Sequence, residues 1–168
     1  MDGAVPVMSV PVRNVLVVDP DPATERAVAV RLGAGYLVEY AAPGDAAVER
    51  ALASPFYVLL VEPQATPEAP EDDGVLALRR LRRAAPDIGI LVFTTAPTVS
   101  ATVMAMRVGA YDVLRKNVDG RTLRAAVERA ADHGALTREV RRLRGEVDRA
   151  HGLGGIVGRS APMHALLA

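Results

Sequence analysis

Short apolar runs alternate with amphipathic stretches along most of the chain. The clearest run, Asn14-Val15-Leu16-Val17-Val18-Asp19, is largely β-branched and ends on a carboxylate. Runs of this kind are typical of strands buried on both faces of a parallel sheet. Four more strands are predicted at 36–40, 56–61, 88–93 and 110–114. Helices are predicted between them, beginning at Asp21-Pro22 and then spanning 46–53, 75–84, 98–108 and 121 to about 150.

Strands that alternate with helices at this spacing form βαβ units with parallel strands. We therefore predict an α/β fold, namely a five-stranded, parallel, doubly wound domain of the flavodoxin-like type with an extended C-terminal helix. The predicted boundaries are a flexible tail at 1–12, the domain at 13–131, a linker helix at 132–152 and a further segment at 153–168. A polar loop is expected at 63–73. The outer arginines of the third helix are expected to be solvated, and they are Arg79, Arg80, Arg82 and Arg83.

Composition narrows the possible functions. The chain contains no cysteine, which excludes disulfides, thiolate metal sites and a cysteine nucleophile. Its formal net charge is zero, which argues against a general nucleic-acid surface. No apolar run approaches the roughly 18 residues that span a bilayer, and the first residues lack the basic start of a signal peptide. We expect a soluble, cytoplasmic protein.

Polar side chains follow four of the predicted strands, and these are Asp19, Glu62, Thr94 and Lys116. The carboxyl ends of parallel strands meet at the sheet edge where ligands bind, so these residues are candidates for a site. A buried lysine without a partner tends to lose its proton, so we predict that Glu62 and Lys116 form the main ion pair. The Thr94 hydroxyl could bond the same carboxylate. Asp21 could be a metal ligand, but the N-cap of the first helix is the favoured role.

The order of these residues resembles that of a known family. An acid after the first and third strands, Thr after the fourth and Lys after the fifth is the pattern of bacterial response regulator receiver domains. The stretch AMRVGAYDVLRK, from Ala105 to Lys116, is similar to receivers of sigma-54-dependent (nitrogen-regulator-type) transcription activators. Near the C-terminus, IVGRSAPM from Ile156 to Met163 resembles the start of that family's AAA+ ATPase module. No phosphate-binding loop follows in this sequence, so we do not expect ATPase activity or any other enzymatic activity from it.

The resemblance implies particular roles for the site residues. In the family, adjacent acids after the first strand hold Mg²⁺ beside a phosphorylated Asp, while Thr and Lys bind the phosphoryl oxygens. Carried over, the first acid is Asp19, the phosphoacceptor position is Glu62 and the aromatic switch position is Val113. The second acid is replaced by Pro20. A Glu also places its carboxylate about 1.5 Å farther out, where metal distances vary by only about 0.2 Å. We therefore predict a pseudo-receiver that has no cofactor and is not phosphorylated in the usual way.

Two apolar surfaces predict a homodimer. The helix at 98–108 is apolar on two sides, and a helix of this kind is normally covered on both. We assign one side to the core, comprising Val99, Val103 and Met106, and the other to a dimer interface, comprising Ala101, Met104 and Val108. The last helix has a heptad seam at Leu136, Val140, Leu143 and Val147. A phase change of one residue predicts a kink or skip near His133-Gly134.

Several alternatives stay open. The protein could be a working phospho-receiver that uses Asp19, Asp21 and Glu62 with Mg²⁺. A flavin or nucleotide enzyme is disfavoured because Asp-Pro-Asp-Pro stands where a Gly-rich phosphate loop would be needed. Acids interrupt the arginines of the last helix, so DNA binding by this chain is not expected. The resemblance implies an AAA+ module as the partner for output, and a histidine kinase or another signalling protein as a possible source of input.

Overall fold

The computed structural model describes residues 12–63 and 71–155, and it has an α/β architecture of five strands and five helices in those ranges. The strands are β1 (Arg13–Val18), β2 (Tyr36–Ala41), β3 (Val58–Val61), β4 (Gly89–Thr94) and β5 (Asp112–Arg115). The helices are α1 (Ala23–Leu32), α2 (Asp45–Ala53), α3 (Glu71–Ala84), α4 (Val99–Arg107) and α5 (Gly120–Gly155). The chain divides after Ala135 into a compact domain and a second unit that contains the rest of α5.

Most element boundaries agree with the sequence to within two residues, and the differences lie at element ends. The predicted loop at 63–73 is shorter, because α3 already begins at Glu71. The last helix extends to Gly155, beyond the predicted end at residue 152. Most of the predicted N-terminal tail and the stretch resembling an ATPase-module start lie outside the described residues.

The sheet is fully parallel, with the strand order β2-β1-β3-β4-β5. The chain crosses from β2 on one side of β1 to β3 on the other, so the winding reverses between β1 and β3. In doubly wound sheets a crevice opens at this reversal, beyond the carboxyl ends of the two strands. Asp19 follows β1 and Glu62 follows β3, so both acids flank the reversal.

Two hydrophobic clusters cover the two faces of the sheet. Alternate residues of the buried strands point to opposite faces, which is why β1, β3 and β4 are apolar at nearly every position. On what we call the α1/α5 face, the strands pack against Val28 and Leu32 of α1 and Leu123 and Val127 of α5. On the α2–α4 face they pack against α2, α3 and α4, with Leu78, Leu81 and Ala105 among the contacts.

Glycines allow α5 to approach the sheet closely. A Cβ added at Gly89 would lie 2.2 Å from the Ala130 carbonyl oxygen, and one added at Gly134 would lie 2.7 Å from the Asp87 carbonyl oxygen. Gly134 is therefore required for close packing against the start of β4. The helix assignment continues through His133 and Gly134, and the kink or skip inferred there from the sequence stays a prediction.

The predicted orientation of α4 is wrong. Its predicted core residues are exposed, with Val99 83%, Val103 45% and Met106 46% accessible. Ala105 is buried instead, and Val108 packs partly buried against the α2–α4 face. Of the residues assigned to the outer side, Ala101 is exposed, but Met104 and Val108 are half-buried. A small residue faces the sheet here because the helix lies close to it, so the larger apolar side chains form the exposed side.

The prediction that Arg82 is solvated is also wrong. Its guanidinium folds back onto the backbone and donates hydrogen bonds to the carbonyls of Pro86 (3.1 Å), Ile88 (2.8 Å) and Gly109 (2.5 Å). Burial lowers the pKa of Arg82, against the opposing effect of Asp87. A Cβ at Gly109 would lie 2.9 Å from Arg82 Nε, so the glycine leaves room for this contact. Arg82 thus joins the turn before β4 to the turn after α4.

Candidate functional site

The strand ladder places the polar residues at one edge of the sheet. The Glu62 amide donates to the Val18 carbonyl at 2.9 Å, just beyond the last paired residues of β1 and β3. The Lys116 amide donates to the Thr94 carbonyl, also at 2.9 Å, and extends the pairing of β4 with β5. The side chains that follow these strands therefore emerge at the same edge, as the sequence predicted.

Lys116 binds two carboxylates at once. Its Nζ lies 2.5 Å from Asp19 Oδ2 and 3.0 Å from Glu62 Oε2. The Asp19 side chain is 1% exposed, that of Glu62 14% and that of Lys116 21%. Burial acts to lower the pKa of the Lys116 ammonium, but the hydrogen bonds and charges of Asp19 and Glu62 outweigh it and raise that pKa above its ordinary value. The lysine is therefore held as a cation between two acids.

The expectation that Glu62 is the main partner of Lys116 needs correction. The structure does bring Glu62 and Lys116 into contact, but Asp19 is both closer to the ammonium and more deeply buried. A buried carboxylate depends more strongly on its counter-charge than a half-exposed one. The sequence placed both acids at this edge, but it gave no distance from β5 across two intervening strands to β1.

Both oxygens of Asp19 have partners. Oδ1 accepts a hydrogen bond from the Asp21 amide at 2.8 Å, while Oδ2 pairs with Lys116. The Asp21 carboxylate accepts from the Ala23 amide at 2.9 Å, so it satisfies a free donor at the start of α1. Pro22 occupies the N-cap position itself and offers no side-chain hydrogen bond. Asp21 thus caps α1 from the residue before the N-cap, whereas the sequence predicted that Asp21 would be the N-cap itself. Its side chain is exposed.

Thr94 and Val113 lie beside this cluster. The Thr94 hydroxyl accepts a long hydrogen bond from the Ala96 amide, at 3.5 Å. Among the described residues it makes no bond to Glu62, so that expected contact is not found. Val113 is half-buried and packs against the α2–α4 face. Both residues line a cavity of about 250 Å³ that Glu62 also borders.

One contact at the site had no signal in the sequence. Arg31, in the last turn of α1, donates a hydrogen bond from its guanidinium to the Lys116 carbonyl. It therefore fixes the backbone of the residue whose side chain carries the charge. An arginine near the end of a helix is expected to interact with that helix's own carbonyls, so its role at β5 becomes visible only in the folded chain.

Comparison with known proteins identifies the fold and the family. Residues 15–128 match the response regulator receiver domain. This chain belongs to the receiver domain family. The match covers every strand after the first two residues of β1, together with the positions of Asp19, Glu62, Thr94 and Lys116.

Relatives of this receiver include transcriptional regulators. It is 38% identical to the C4-dicarboxylate transport transcriptional regulatory protein DctD of Pseudomonas aeruginosa over 98 residues. This alignment covers 58% of this chain and 21% of DctD. The chain thus spans about a fifth of the length of that relative. A CheY-like receiver from Methanospirillum hungatei superimposes with a TM-score of 0.63 at 21% identity, over 74% of this chain and 97% of the other. The beryllofluoride-activated NtrC4 receiver domain dimer superimposes with a TM-score of 0.60 at 24% identity, over 72% and 98%.

The residues of this receiver do not fit the Mg²⁺ that the fold family implies. Mg²⁺ requires oxygen ligands in near-octahedral geometry. Here Lys116 Nζ occupies the space between Asp19 and Glu62, and Pro20 contributes no oxygen from its side chain. Within the described residues no three His, Asp or Glu side chains are placed to hold a metal ion together.

The described residues also include no helix that is long and apolar enough to cross a membrane.

Proposed function

We propose that this receiver is the regulatory module of a sigma-54-dependent transcription regulator and works without phosphorylation of the usual kind. The motif AMRVGAYDVLRK and the relationship to a transcriptional regulatory protein support the first part. Its output would be the assembly state of an AAA+ ATPase module in the complete regulator. Its input would come from a histidine kinase that docks without phosphotransfer, or from another signal.

The observation that carries the second part is the position of Lys116 between two carboxylates. An incoming phosphoryl group would have to approach Glu62, whose Oε2 already bonds the ammonium at 3.0 Å. Displacing that bond without a metal would leave several negative charges together in a half-buried pocket. A carboxylate carries at most one negative charge, against nearly two for a phosphoryl group, so the ion pair imitates an activated site only in part.

Incubation with acetyl phosphate and Mg²⁺, followed by intact-mass measurement, tests this proposal. We expect no stoichiometric gain of one phosphoryl group, because the acceptor is engaged and the metal site is incomplete. The informative control is the double variant Pro20→Asp with Glu62→Asp, which restores both acids at the family positions. A phosphorylated wild-type protein would instead establish the alternative, a working phospho-receiver with an altered acidic site.

We further propose that the receiver acts through a homodimer. The seam on α5 is exposed, with Leu136 67%, Val140 45%, Leu143 46% and Val147 53% accessible. Beside the seam, Arg142 forms ion pairs with Glu139 at 2.6 Å and with Glu146 at 2.5 Å. Pairs at this spacing stabilise a helix. Heptad-spaced apolar residues beside charged ones are typical of a two-stranded coiled coil. The NtrC4 receiver, which has the same fold, was solved as a dimer in its beryllofluoride-activated form.

The apolar residues that α4 exposes differ from those predicted for a dimer interface. The stripe available for a second copy consists of the exposed residues Val99, Val103 and Met106, whereas Met104 and Val108 are half-buried. Dimer formation through this stripe would cover apolar area that is now in contact with water.

Light scattering at tens of micromolar, without a phosphoryl donor, tests the dimer. We expect twice the monomer mass for the wild type and a large loss of dimer for Leu143→Asp with Val147→Asp. The matched control is Leu52→Asp with Val30→Asp, which places the same changes on exposed positions of α2 and α1. A monomeric wild type, or equal effects of the two double variants, would contradict the assignment of the interface.

A further inference from the structure

A cavity of about 250 Å³ lies between α3, α4 and the ends of β4 and β5. Its apolar lining includes side chains that belong to or border the α2–α4 face, among them Leu78, Val92, Met104, Ala105 and Val113. This volume exceeds the share of liquid volume that a single water occupies, about 30 Å³, several times over. It is the size of a small organic molecule rather than of a peptide.

The polar side chains that line the cavity are the carboxylate of Glu62 and four threonine hydroxyls, each of which can both donate and accept a hydrogen bond. Glu62 borders it, and among the described residues its only side-chain partner is Lys116, bound through Oε2. The hydroxyls of Thr94 and Thr98 each accept one backbone amide, at 3.5 and 3.1 Å, which leaves each oxygen a second lone pair. The described residues that line the cavity include no lysine, arginine or histidine.

The charge at this end of the cavity is negative. Asp19 and Glu62 contribute two carboxylates and Lys116 one ammonium, so the cluster keeps one net negative charge. A half-buried site with one uncompensated acid attracts a cation and repels an anion, and it does so more strongly than the same charge in water. The site therefore disfavours phosphate and carboxylates.

We propose that this cavity binds a small organic cation, with its apolar body against Val92, Met104 and Val113 and its ammonium group at Glu62. The ammonium would donate to the free oxygen of Glu62 and to threonine hydroxyls, while the body would cover apolar surface that now faces an open space. The binding does not depend on the proposed function, although it would provide that function with an input signal.

Val113 makes room for this ligand. It stands at the position that carries an aromatic ring in the receivers this chain resembles, and a valine is several carbon atoms smaller. A phenylalanine side chain at 113 would enter the cavity from the β5 side. A bound ligand would contact α4, because Ala101 and Met104 of this helix line the cavity. The exposed apolar stripe lies on the other side of the same helix.

Three probes of similar size separate charge from shape: benzylamine, benzyl alcohol and benzoate. Each is titrated into the full chain, with affinity measured by calorimetry and the binding position by amide chemical shifts in NMR. We expect saturable binding of benzylamine, weaker binding of benzyl alcohol and none of benzoate. The shifted amides should cluster at 94–96, 98, 101–105 and 113.

Two variants test whether Glu62 and Val113 form the binding site. Glu62→Gln keeps the shape and removes the charge, and we expect it to weaken benzylamine binding about tenfold, the loss of one charge-assisted hydrogen bond. Val113→Phe should abolish binding of both benzylamine and benzyl alcohol. The matched controls are Glu49→Gln and Val30→Phe, which make the same changes at exposed positions of α2 and α1 and should leave affinity unchanged.

Several outcomes would overturn the proposal. They are the absence of saturable binding, equal affinity for benzoate and benzylamine, and shifts located away from the cavity. If Val113→Phe fails to fold, Ala101→Leu at the exposed rim of the cavity provides the second test, and unchanged affinity in both that variant and Glu62→Gln would count against the site. Benzylamine binding without any change in dimer mass would leave the ligand site standing and remove only its link to assembly.

Discussion

The two faces of the sheet are packed differently. On the α1/α5 face, backbone meets backbone, because Gly89 and Gly134 bring α5 into direct contact with the start of β4. A hydrogen bond of 2.8 Å from the Tyr36 hydroxyl to Glu128 adds a polar link from β2 to α5. On the α2–α4 face, two partly open cavities of about 250 and 290 Å³ lie among the helices beside the carboxyl ends of the strands, and Glu62 borders both.

This difference indicates which part of the receiver can change. Close-packed backbone responds poorly to small displacements, whereas helices over cavities can shift at a lower cost. α4 is the helix with a small buried residue and an exposed apolar stripe, and it borders one of the cavities. We therefore expect signals to act on the α2–α4 face while the α1/α5 face keeps the sheet in register.

The largest effect is expected from Gly89→Ala, which would break the close-packed face. The new Cβ would lie 2.2 Å from the Ala130 carbonyl oxygen, and neither backbone segment can move without disturbing the sheet or α5. We expect a loss in the free energy of unfolding at or above the top of the roughly 1–3 kcal/mol typical of overpacked sites. Urea denaturation followed by circular dichroism measures it.

Gly145→Ala is the matched control for this substitution. Nothing lies within 4 Å of a Cβ at Gly145, so the alanine should favour the helix by up to about 1 kcal/mol. If Gly89→Ala changes the free energy of unfolding no more unfavourably than Gly145→Ala does, the α1/α5 face is not close-packed in solution.

Lys116→Met tests the ion pairs that Lys116 forms with Asp19 and Glu62 at the carboxyl edge of the sheet. The substitution keeps the side chain's bulk and leaves Asp19, which is 1% exposed, without its cation. We expect a loss of about 2–3 kcal/mol, somewhat below the 3–5 kcal/mol of a fully buried pair because Lys116 is partly exposed. The measurement is again urea denaturation, at neutral pH. A loss below about 1 kcal/mol would mean that the ion pairs contribute no more than surface ones.

The dependence of this loss on pH has a definite sign. Asp19 and Glu62 raise the pKa of Lys116 above its ordinary 10.5, so the folded state holds the proton more tightly than the unfolded state. The stability gained from the ammonium is fully present below about pH 10.5 and disappears as the pH rises through the folded value. The difference between wild type and Lys116→Met should therefore narrow at strongly alkaline pH. A difference that stays constant there would indicate lost packing rather than lost charge.

Glu62→Ala should have a smaller effect than Lys116→Met. Asp19 remains as a partner for the ammonium, so the lysine keeps its closer contact at 2.5 Å. We expect a loss of about 1 kcal/mol, and a coupling energy with Lys116→Met of at least about 0.5 kcal/mol in a double-mutant cycle. If the two substitutions are additive within about 0.3 kcal/mol, Glu62 is an ordinary solvated acid.

The sequence predicted the sheet well because strands buried on both faces leave continuous apolar runs, such as Val15 to Val18. It predicted the edge at which Glu62 and Lys116 meet, since parallel strands end together. It misplaced the faces of α4, because that helix is apolar on two sides and only the fold shows that Ala105 lies against the sheet. It also missed the contacts of Arg31 and Arg82. Long side chains can bond carbonyls far along the chain, and no local pattern records which ones.

The smallest effect should come from Val113→Phe, and comparing it with Val28→Phe tests the two faces directly. Val113 borders the cavity on the α2–α4 face, so the added ring can fill empty space. We expect a change between zero and a gain of about 1 kcal/mol, as for other cavity-filling substitutions.

Val28 is 0% exposed on the α1/α5 face, where the same ring has no space to enter. There we expect a loss of about 1–3 kcal/mol. Both variants add the same atoms to a valine, so the difference between their unfolding free energies reports the packing of each face. Equal losses would show that the cavity closes in solution, and the α2–α4 face would then have no advantage as the part of the receiver that responds to signals.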